Sequence, residues 1–385
     1  MPLNTDRLNG AQPKEQAPER VVIAMSGGVD SSVAAALLKR EGREVIGIGM
    51  HLWNYEEDRL AFDSCCSPYD VLDARAVAGR LGIPYYLQNY EESFREEVVG
   101  YFIGEYQAGR TPNPCVACNQ RFKFSHLLRR AKELGADQVA TGHYARVKWL
   151  PGENRPGLEG RPDLGGRFGL FRGKDPVKDQ SYFLFSLNQP QLERALFPVG
   201  DLTKEEVREL ARELDLKTAE KPESQEICFV AGGDHARFIE EQTGVASAPG
   251  PIVDRAGRVL GQHRGLTHYT VGQRKGLGIS AKAPLYVLKL DGARNQVVVG
   301  GKVDLERSVC TVRGVNWIAP PGEESGGTRA WVQIRHHHTP QPAQLLPLAE
   351  GRVRVEFEAP ERGVAPGQAA VFYRGDEILG GGWIE

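Results

Sequence analysis

The chain has 385 residues, with 48 Lys and Arg against 50 Asp and Glu for a net charge of −2, and 41% of its residues are hydrophobic. That length predicts about two or three domains. The charge balance excludes a protein that is basic all over, but not one with a local basic face for nucleic acid. No stretch approaches the roughly 20 apolar residues of a membrane span, and the polar first twenty residues carry no signal-peptide core. Six cysteines are too sparse for a disulfide scaffold, so a cytoplasmic protein with no membrane association is expected.

Residues 1–20 read as a disordered lead-in. Val21-Val22-Ile23-Ala24-Met25 predicts a buried strand, SGGVDSS (Ser26 to Ser32) a tight turn, and Val33 to Arg40 a helix. Gly27 and Gly28 let a ligand come close to the backbone. Ser26, Ser31 and Ser32 offer hydroxyls, and the free N–H groups and dipole of the helix suit a phosphate. The pattern G-x-x-x-x-G-K-[ST] is absent, because no Lys follows the glycines. The segment instead resembles the SGGxDS signature of the PP-loop (adenine nucleotide alpha-hydrolase) ATP pyrophosphatases. That resemblance implies cleavage of ATP between its α- and β-phosphates and adenylation of a substrate oxygen.

Further along, Val45 to Met50 predicts a second strand, Tyr69 to Leu81 a helix stopped by Gly82, and Ile83 to Leu87 a third strand. Phe124 to Leu134 reads as a helix and Gln138 to Gly142 as a fourth strand. This alternation predicts an α/β, Rossmann-like parallel sheet, with ligands at the C-terminal strand ends. Pro151 to Arg167, dense in Gly and Pro, reads as a flexible insertion between strands. Thr203 to Leu214 is a helix with Thr203 as its N-cap.

After Ser224, short β-type runs separated by Gly turns take over: Pro251–Asp254, Leu285–Leu290, Gln296–Val299, Ala330–Ile334, Val353–Phe357 and Ala369–Tyr373. The expected organisation is a PP-loop domain over 21–223, a central β-rich domain over 224–300 and a C-terminal β-barrel over 301–385.

Sulfur chemistry is suggested by Cys115 and Cys118 in GRTPNPCVACN and by Cys228 in SQEICF. A nucleophilic thiolate needs a pKa below the free value of about 8.5, which a helix N-terminus or nearby cation supplies. A structural zinc is disfavoured, because the single C-x-x-C has no partner pair at ribbon spacing and Cys65-Cys66 are adjacent.

GRTPNPCVACN, ATGHYAR, KDQSYFL, SQEICF, YTVGQRKGLG and GGGWI, in that order, resemble the bacterial tRNA-specific 2-thiouridylases over nearly the whole chain. The resemblance implies ATP-dependent 2-thiolation of the wobble uridine of tRNA. The C2 oxygen is adenylated with release of pyrophosphate, and sulfur from a cysteine persulfide then displaces AMP. It implies Cys118 as nucleophile and Cys228 as the persulfide-bearing or disulfide-closing partner. ATP falls to Ala24, Met25, Ser26, Gly27, Gly28, Val29, Asp30, Ser31, Met50 and Gly142. The target base falls to Asn113, Pro114 and Cys115, and tRNA to His143, Lys178, Asp179, Gln180, Arg335, His336 and Gln368. Asp30 is assigned to orienting Mg²⁺–pyrophosphate. Many relatives carry Asp where Cys115 stands, so an alternative gives Cys115, Cys118 and Cys228 a [4Fe–4S] cluster that delivers the sulfur. A monomer served by a sulfur-donor protein is expected. Two more remote readings are a PP-loop ligase or amidotransferase and a non-catalytic RNA-binding module.

Overall fold

The structure, a computed structural model, describes residues 18–53, 68–151, 166–222, 227–319, 321 and 327–385. Cys65–Cys66, most of the 151–167 segment and Ser224–Glu226 of SQEICF lie outside the described residues.

Five strands form the first sheet and two more follow β4 as a hairpin: β1 (Arg20–Ala24), β2 (Glu44–His51), β3 (Tyr85–Asn89), β4 (Gln138–Ala140), the hairpin β5 (Ala145–Leu150) and β6 (Arg167–Arg172), and β7 (Ala195–Leu196). The first sheet has the order β3-β2-β1-β4-β7 with every pairing parallel. Val21, Val22 and Ile23 are all wholly buried because both faces of β1 are covered. Alternate residues serve opposite cores. Val21, Ile23 and Met25 pack with the helix α1 (Val29–Arg40), and Val22 and Ala24 pack with Leu127 and Ala131 of a helix on the other face. Since β2 lies on one side of β1 and β4 on the other, a crevice opens at their carboxyl ends, where SGGVDSS and Thr141–His143 meet.

The helix expected from Phe124 begins ten residues earlier, at Pro114, and runs over 114–133 with a π-wound stretch, Asn119–His126. Asn113 is the N-cap, its side chain accepting from Val116 N at 3.4 Å, and Pro114 takes the first helical position, where a missing N–H costs nothing. The third strand is shifted two residues from its expected span, to Tyr85–Asn89.

Lys204–Glu213 is helical as read, with a capping box: Glu206 N donates to Thr203 Oγ1 at 3.2 Å and Thr203 N to Glu206 Oε2 at 2.6 Å. Thr203→Ala is expected to destabilise the chain by about 1 kcal/mol in chemical denaturation, while Thr203→Ser restores most of it.

The second half is β-rich as expected, apart from a helix at His235–Thr243, capped by Asp234 and by Gly244 with φ 65°. A four-stranded sheet follows from β8 (Gly250–Val253), β9 (Val259–His263), β10 (Tyr286–Asp291) and β11 (Gln296–Gly300), around Ile252, Val287 and Val297. The rest is β12 (Glu306–Trp317), β13 (Thr328–Gln333), β14 (Gln341–Pro347), β15 (Val353–Arg362), β16 (Ala369–Arg374) and β17 (Glu377–Ile384). These six close into a barrel, because β12 pairs with both β15 and β17. The sequence runs singled out above did not include β9, β12, β14 or β17. The β5–β6 hairpin, which flanks the 151–167 segment, adds to the barrel sheet through β17, so the first half of the chain is stitched into the last. Among the described residues no helix is long and apolar enough to cross a membrane.

Candidate active site

The turn after β1 is braced from inside. Ser31 Oγ and Ser32 Oγ donate to Gly28 O at 3.1 and 2.8 Å, and Ser26 N donates to Ser31 Oγ at 3.3 Å. Gly28 is the N-cap of α1 and no side chain caps the helix, so its first N–H groups remain for a ligand. The expectation that Ser32 offers a hydroxyl to that ligand is corrected: Ser32 is wholly buried and its hydroxyl is committed to Gly28 O.

In front of this turn lies a cavity of about 380 Å³. Of the residues assigned to ATP, Ala24, Met25, Ser26, Gly28, Val29, Asp30, Ser31, Met50 and Gly142 line it. Gly27 is not among the lining residues; its backbone, at φ 77°, lies against Asp70, which lines the cavity. Cys115, Cys118 and Cys228 line the same cavity, Cys115 exposed and the other two half-buried. Pro114 lines it too, while Asn113 is buried as the helix cap.

The residues assigned to tRNA divide. His143, Lys178 and Gln180 line the cavity. Asp179 is internal, accepting from Arg172 Nη1 at 2.6 Å, Gly173 N at 3.1 Å, and Ser181 N and Oγ at 3.1 and 3.0 Å. Gln368, on the barrel, donates from Nε2 to the carbonyls of Thr111 and Pro112 at 3.0 and 3.4 Å, and Thr111 N donates to Pro366 O at 2.8 Å. The barrel thus holds the GRTPNPC segment in place. His336 packs on Phe183 with ring centroids 4.5 Å apart, and Phe183 lines the cavity. Burial and the neighbouring His337 push the His336 pKa down to about 4, which leaves it neutral at pH 7. Arg335 Nη1 donates to Arg362 O at 3.1 Å.

Among the cavity residues that the sequence reading did not assign are Lys204, Tyr144, Lys221, Asp70 and Lys123. Lys204 Nζ donates to both oxygens of Asp30 at 2.8 and 2.9 Å, and Tyr144 Oη donates to Asp30 Oδ1 at 2.7 Å. Lys221 Nζ reaches Gly27 O at 3.1 Å, Asp70 Oδ1 at 2.5 Å and the Asp73 carboxylate. Burial works against the Lys221 charge, but the two carboxylates outweigh it and hold the ammonium above its ordinary range. Lys123 Nζ stands 3.5 Å from His143 Nε2. Burial first, then the Lys123 charge, drive His143 well below its ordinary pKa, so its ring is neutral. Lysine only donates, so Nε2 accepts, and Nδ1 carries the proton towards Thr141 Oγ1 at 2.7 Å.

Lys123 lies four residues after Asn119, on the same face of the helix, and Cys115, Cys118, Asn119 and Lys123 all line the cavity. Among the described residues no group of three His, Cys, Asp or Glu is arranged to hold a metal ion, so Cys115, Cys118 and Cys228 form no ready-made metal cage. Cys310 lies inside the barrel, where burial pushes its thiol up to about 12.

Comparison with known proteins matches residues 19–232 to the family described as tRNA methyl transferase HUP domain, residues 236–301 to its PRC-barrel domain and residues 307–384 to the aminomethyltransferase beta-barrel domain. Full-length relatives are called tRNA-specific 2-thiouridylases. The protein from Geotalea uraniireducens is 54% identical over 376 residues, covering 97% of this chain and 96% of that one. That from Geobacter metallireducens is 53% identical, covering 96% and 98%. That from Carboxydothermus hydrogenoformans is 48% identical, covering 95% and 98%. Identity of this order along the whole length, with a nucleotide-type loop and three cysteines facing one cavity, leaves no doubt of kinship: the chain belongs to the tRNA-specific 2-thiouridylase family.

Proposed function

We propose that this protein catalyses ATP-dependent 2-thiolation of the wobble uridine of tRNA, using sulfur held as a cysteine persulfide. The observation that carries this reading is the shared cavity: the SGGVDSS turn, Cys118 and Cys228 line the same space. Oxygen activation and sulfur delivery must occur on one base without its release, and a single cavity allows both.

The C2 oxygen of the uridine attacks the α-phosphorus of ATP. The O2–P bond forms, the α–β bridging bond breaks, and pyrophosphate leaves with the electron pair. The outer sulfur of a Cys228 persulfide then bonds to C2, the C2–O bond breaks, and AMP departs. Finally the Cys118 thiolate attacks the Cys228 sulfur. The S–S electron pair stays with the sulfur on C2, which becomes a thiocarbonyl, while Cys118 and Cys228 close a disulfide. An external thiol reductant opens that bond, and a sulfur-donor protein reloads Cys228. Pro114 and Cys115, at the start of the 114–133 helix, lie beside the base, and Asp30 is the carboxylate that would hold Mg²⁺ on the leaving pyrophosphate. The family descriptions speak of methyl transfer, which requires neither a nucleotide turn of this kind nor two thiols facing it.

The test is incubation with ATP, a persulfide donor and unmodified tRNA, followed by nucleoside mass analysis. The expected product is uridine with sulfur in place of one oxygen, formed together with one pyrophosphate and one AMP. Pyrophosphate release without tRNA dependence or sulfur incorporation would replace this reading with a PP-loop ligase.

A further inference from the structure

The nucleotide turn has no lysine of its own, yet two lysines from distant parts of the chain converge on it. Lys204 opens the helix at Lys204–Glu213, and Lys221 lies at the end of the segment that follows. Both line the cavity. Lys221 Nζ contacts the carbonyl of Gly27 within the turn, and Lys204 Nζ sits on Asp30, in the first turn of α1. Lys204 is only 11% exposed and Lys221 25%.

We propose that Lys204 and Lys221 are the phosphate-binding cations of this site, taking in space the role that the P-loop lysine takes in sequence. They bind the β- and γ-phosphates of ATP and neutralise the pyrophosphate as it leaves. This rests on the reading of SGGVDSS as a site of α–β cleavage.

Charge and geometry support it. When the bridging bond breaks, negative charge grows on the β-phosphate, and a fixed cation there stabilises the transition state more than the ground state. The helix N–H groups supply only partial charges. As folded, Asp30, Asp70 and Asp73 pair with these two ammonium groups, while Lys123 and Lys178 also line the cavity, so lysines outnumber carboxylates in its lining and suit a polyphosphate. The carboxylates hold the two ammonium groups in place, and the flexible four-carbon stems let each exchange a carboxylate for a phosphate oxygen. The thiols come from the 114–133 helix and from Cys228, whereas the lysines approach over Gly27, Asp30 and α2 (Pro68–Leu81), which carries Asp70 and Asp73. The two chemical ends of the substrate thus meet different walls.

The experiment compares Lys204→Met, Lys221→Met and the corresponding arginine variants with the unaltered chain. Binding of ATP, pyrophosphate and AMP is measured by calorimetry, and tRNA-dependent pyrophosphate release is followed over time. Each methionine variant is expected to lose about 10-fold in affinity for ATP and pyrophosphate and about 100-fold in the rate of release, with AMP affinity unchanged. Arginine should recover part of both. Unchanged AMP binding also shows that the adenosine end of the site is still folded. Equal losses for ATP and AMP would mean that the lysines only brace the turn, and full activity in the methionine variants would remove them from the site; either result overturns the inference. If the unaltered chain itself releases no pyrophosphate with tRNA, the failure belongs to the reading of the turn instead.

Discussion

Replacing Cys118 with alanine is expected to lower 2-thiouridine formation by about three orders of magnitude or more while tRNA-dependent pyrophosphate release continues within a few-fold. The two half-reactions depend on different walls of the cavity. In the proposed reaction, adenylation uses the SGGVDSS turn, and sulfur release uses the thiol one helical turn below Pro114. Cys118 is half-buried against the aromatic cluster that includes Phe94, Phe122 and Phe229, and alanine removes a single sulfur atom from that contact. Nucleoside mass analysis and a pyrophosphate assay on the same reaction separate the outcomes. Thiolation that survives would take Cys118 out of the chemistry, and loss of both activities would make it part of the adenylation site. Cys115→Ser is the companion measurement. Cys115 is exposed at the cavity and has no assigned bond to make or break in the persulfide route, so its serine variant should keep most of the activity. A loss as deep as that of Cys118→Ala would instead favour sulfur delivery from a cluster on all three thiols.

The nucleotide turn was legible because its neighbours obey local rules. A five-residue apolar run, too short for a buried helix and ended by glycines, reads as a strand covered on both faces, and the glycines and helix signal after it fix where the chain turns. Helix Lys204–Glu213 announced itself through its cap and its apolar stripe. The helix at Pro114 was also announced, by Asn before Pro, but that pair reads equally as an extended approach until the rest of the helix is seen. Lys204, Lys221 and Lys123 left no such mark. Lys221 meets Gly27 across 194 residues, and Lys204 meets Asp30 across 174, through the crossing of elements rather than any spacing along the chain. Lys123 shares a helix face with Asn119, four residues earlier, but that this face meets the cavity is set by how the helix docks beside the sheet. The barrel shows the same limit. Most of its runs alternate visibly, but β17 choosing β6 as one partner and β12 as another depends on closure of the sheet.

Gly27→Ala and Gly28→Ala, adjacent and chemically identical changes, are expected to fail in different ways. At Gly27 the backbone sits at φ 77°, and an added Cβ would stand 2.1 Å from the carbonyl oxygen of Asp70 and 2.7 and 2.8 Å from its C and Cα. These are backbone atoms of α2 and cannot swing away, so strain and overpacking combine to destabilise by about 2–4 kcal/mol. The forced shift would also drag Asp70 from Lys221 and open the turn. At Gly28 the backbone is extended, with φ −89° and ψ 165°, and a Cβ would meet only Ser26 Oγ, at 3.6 Å. Alanine there should leave the denaturation midpoint within about 0.5 kcal/mol of the original. Gly28 lines the cavity, however, so its new methyl group stands where a phosphate must approach the helix N–H groups, and ATP affinity should fall about tenfold or more. Denaturation and ATP calorimetry on the two variants give the contrast directly. A stable Gly27→Ala would show that the Asp70 backbone yields to the added methyl group, and a Gly28→Ala that binds ATP normally would show that the phosphates lie elsewhere than against this turn.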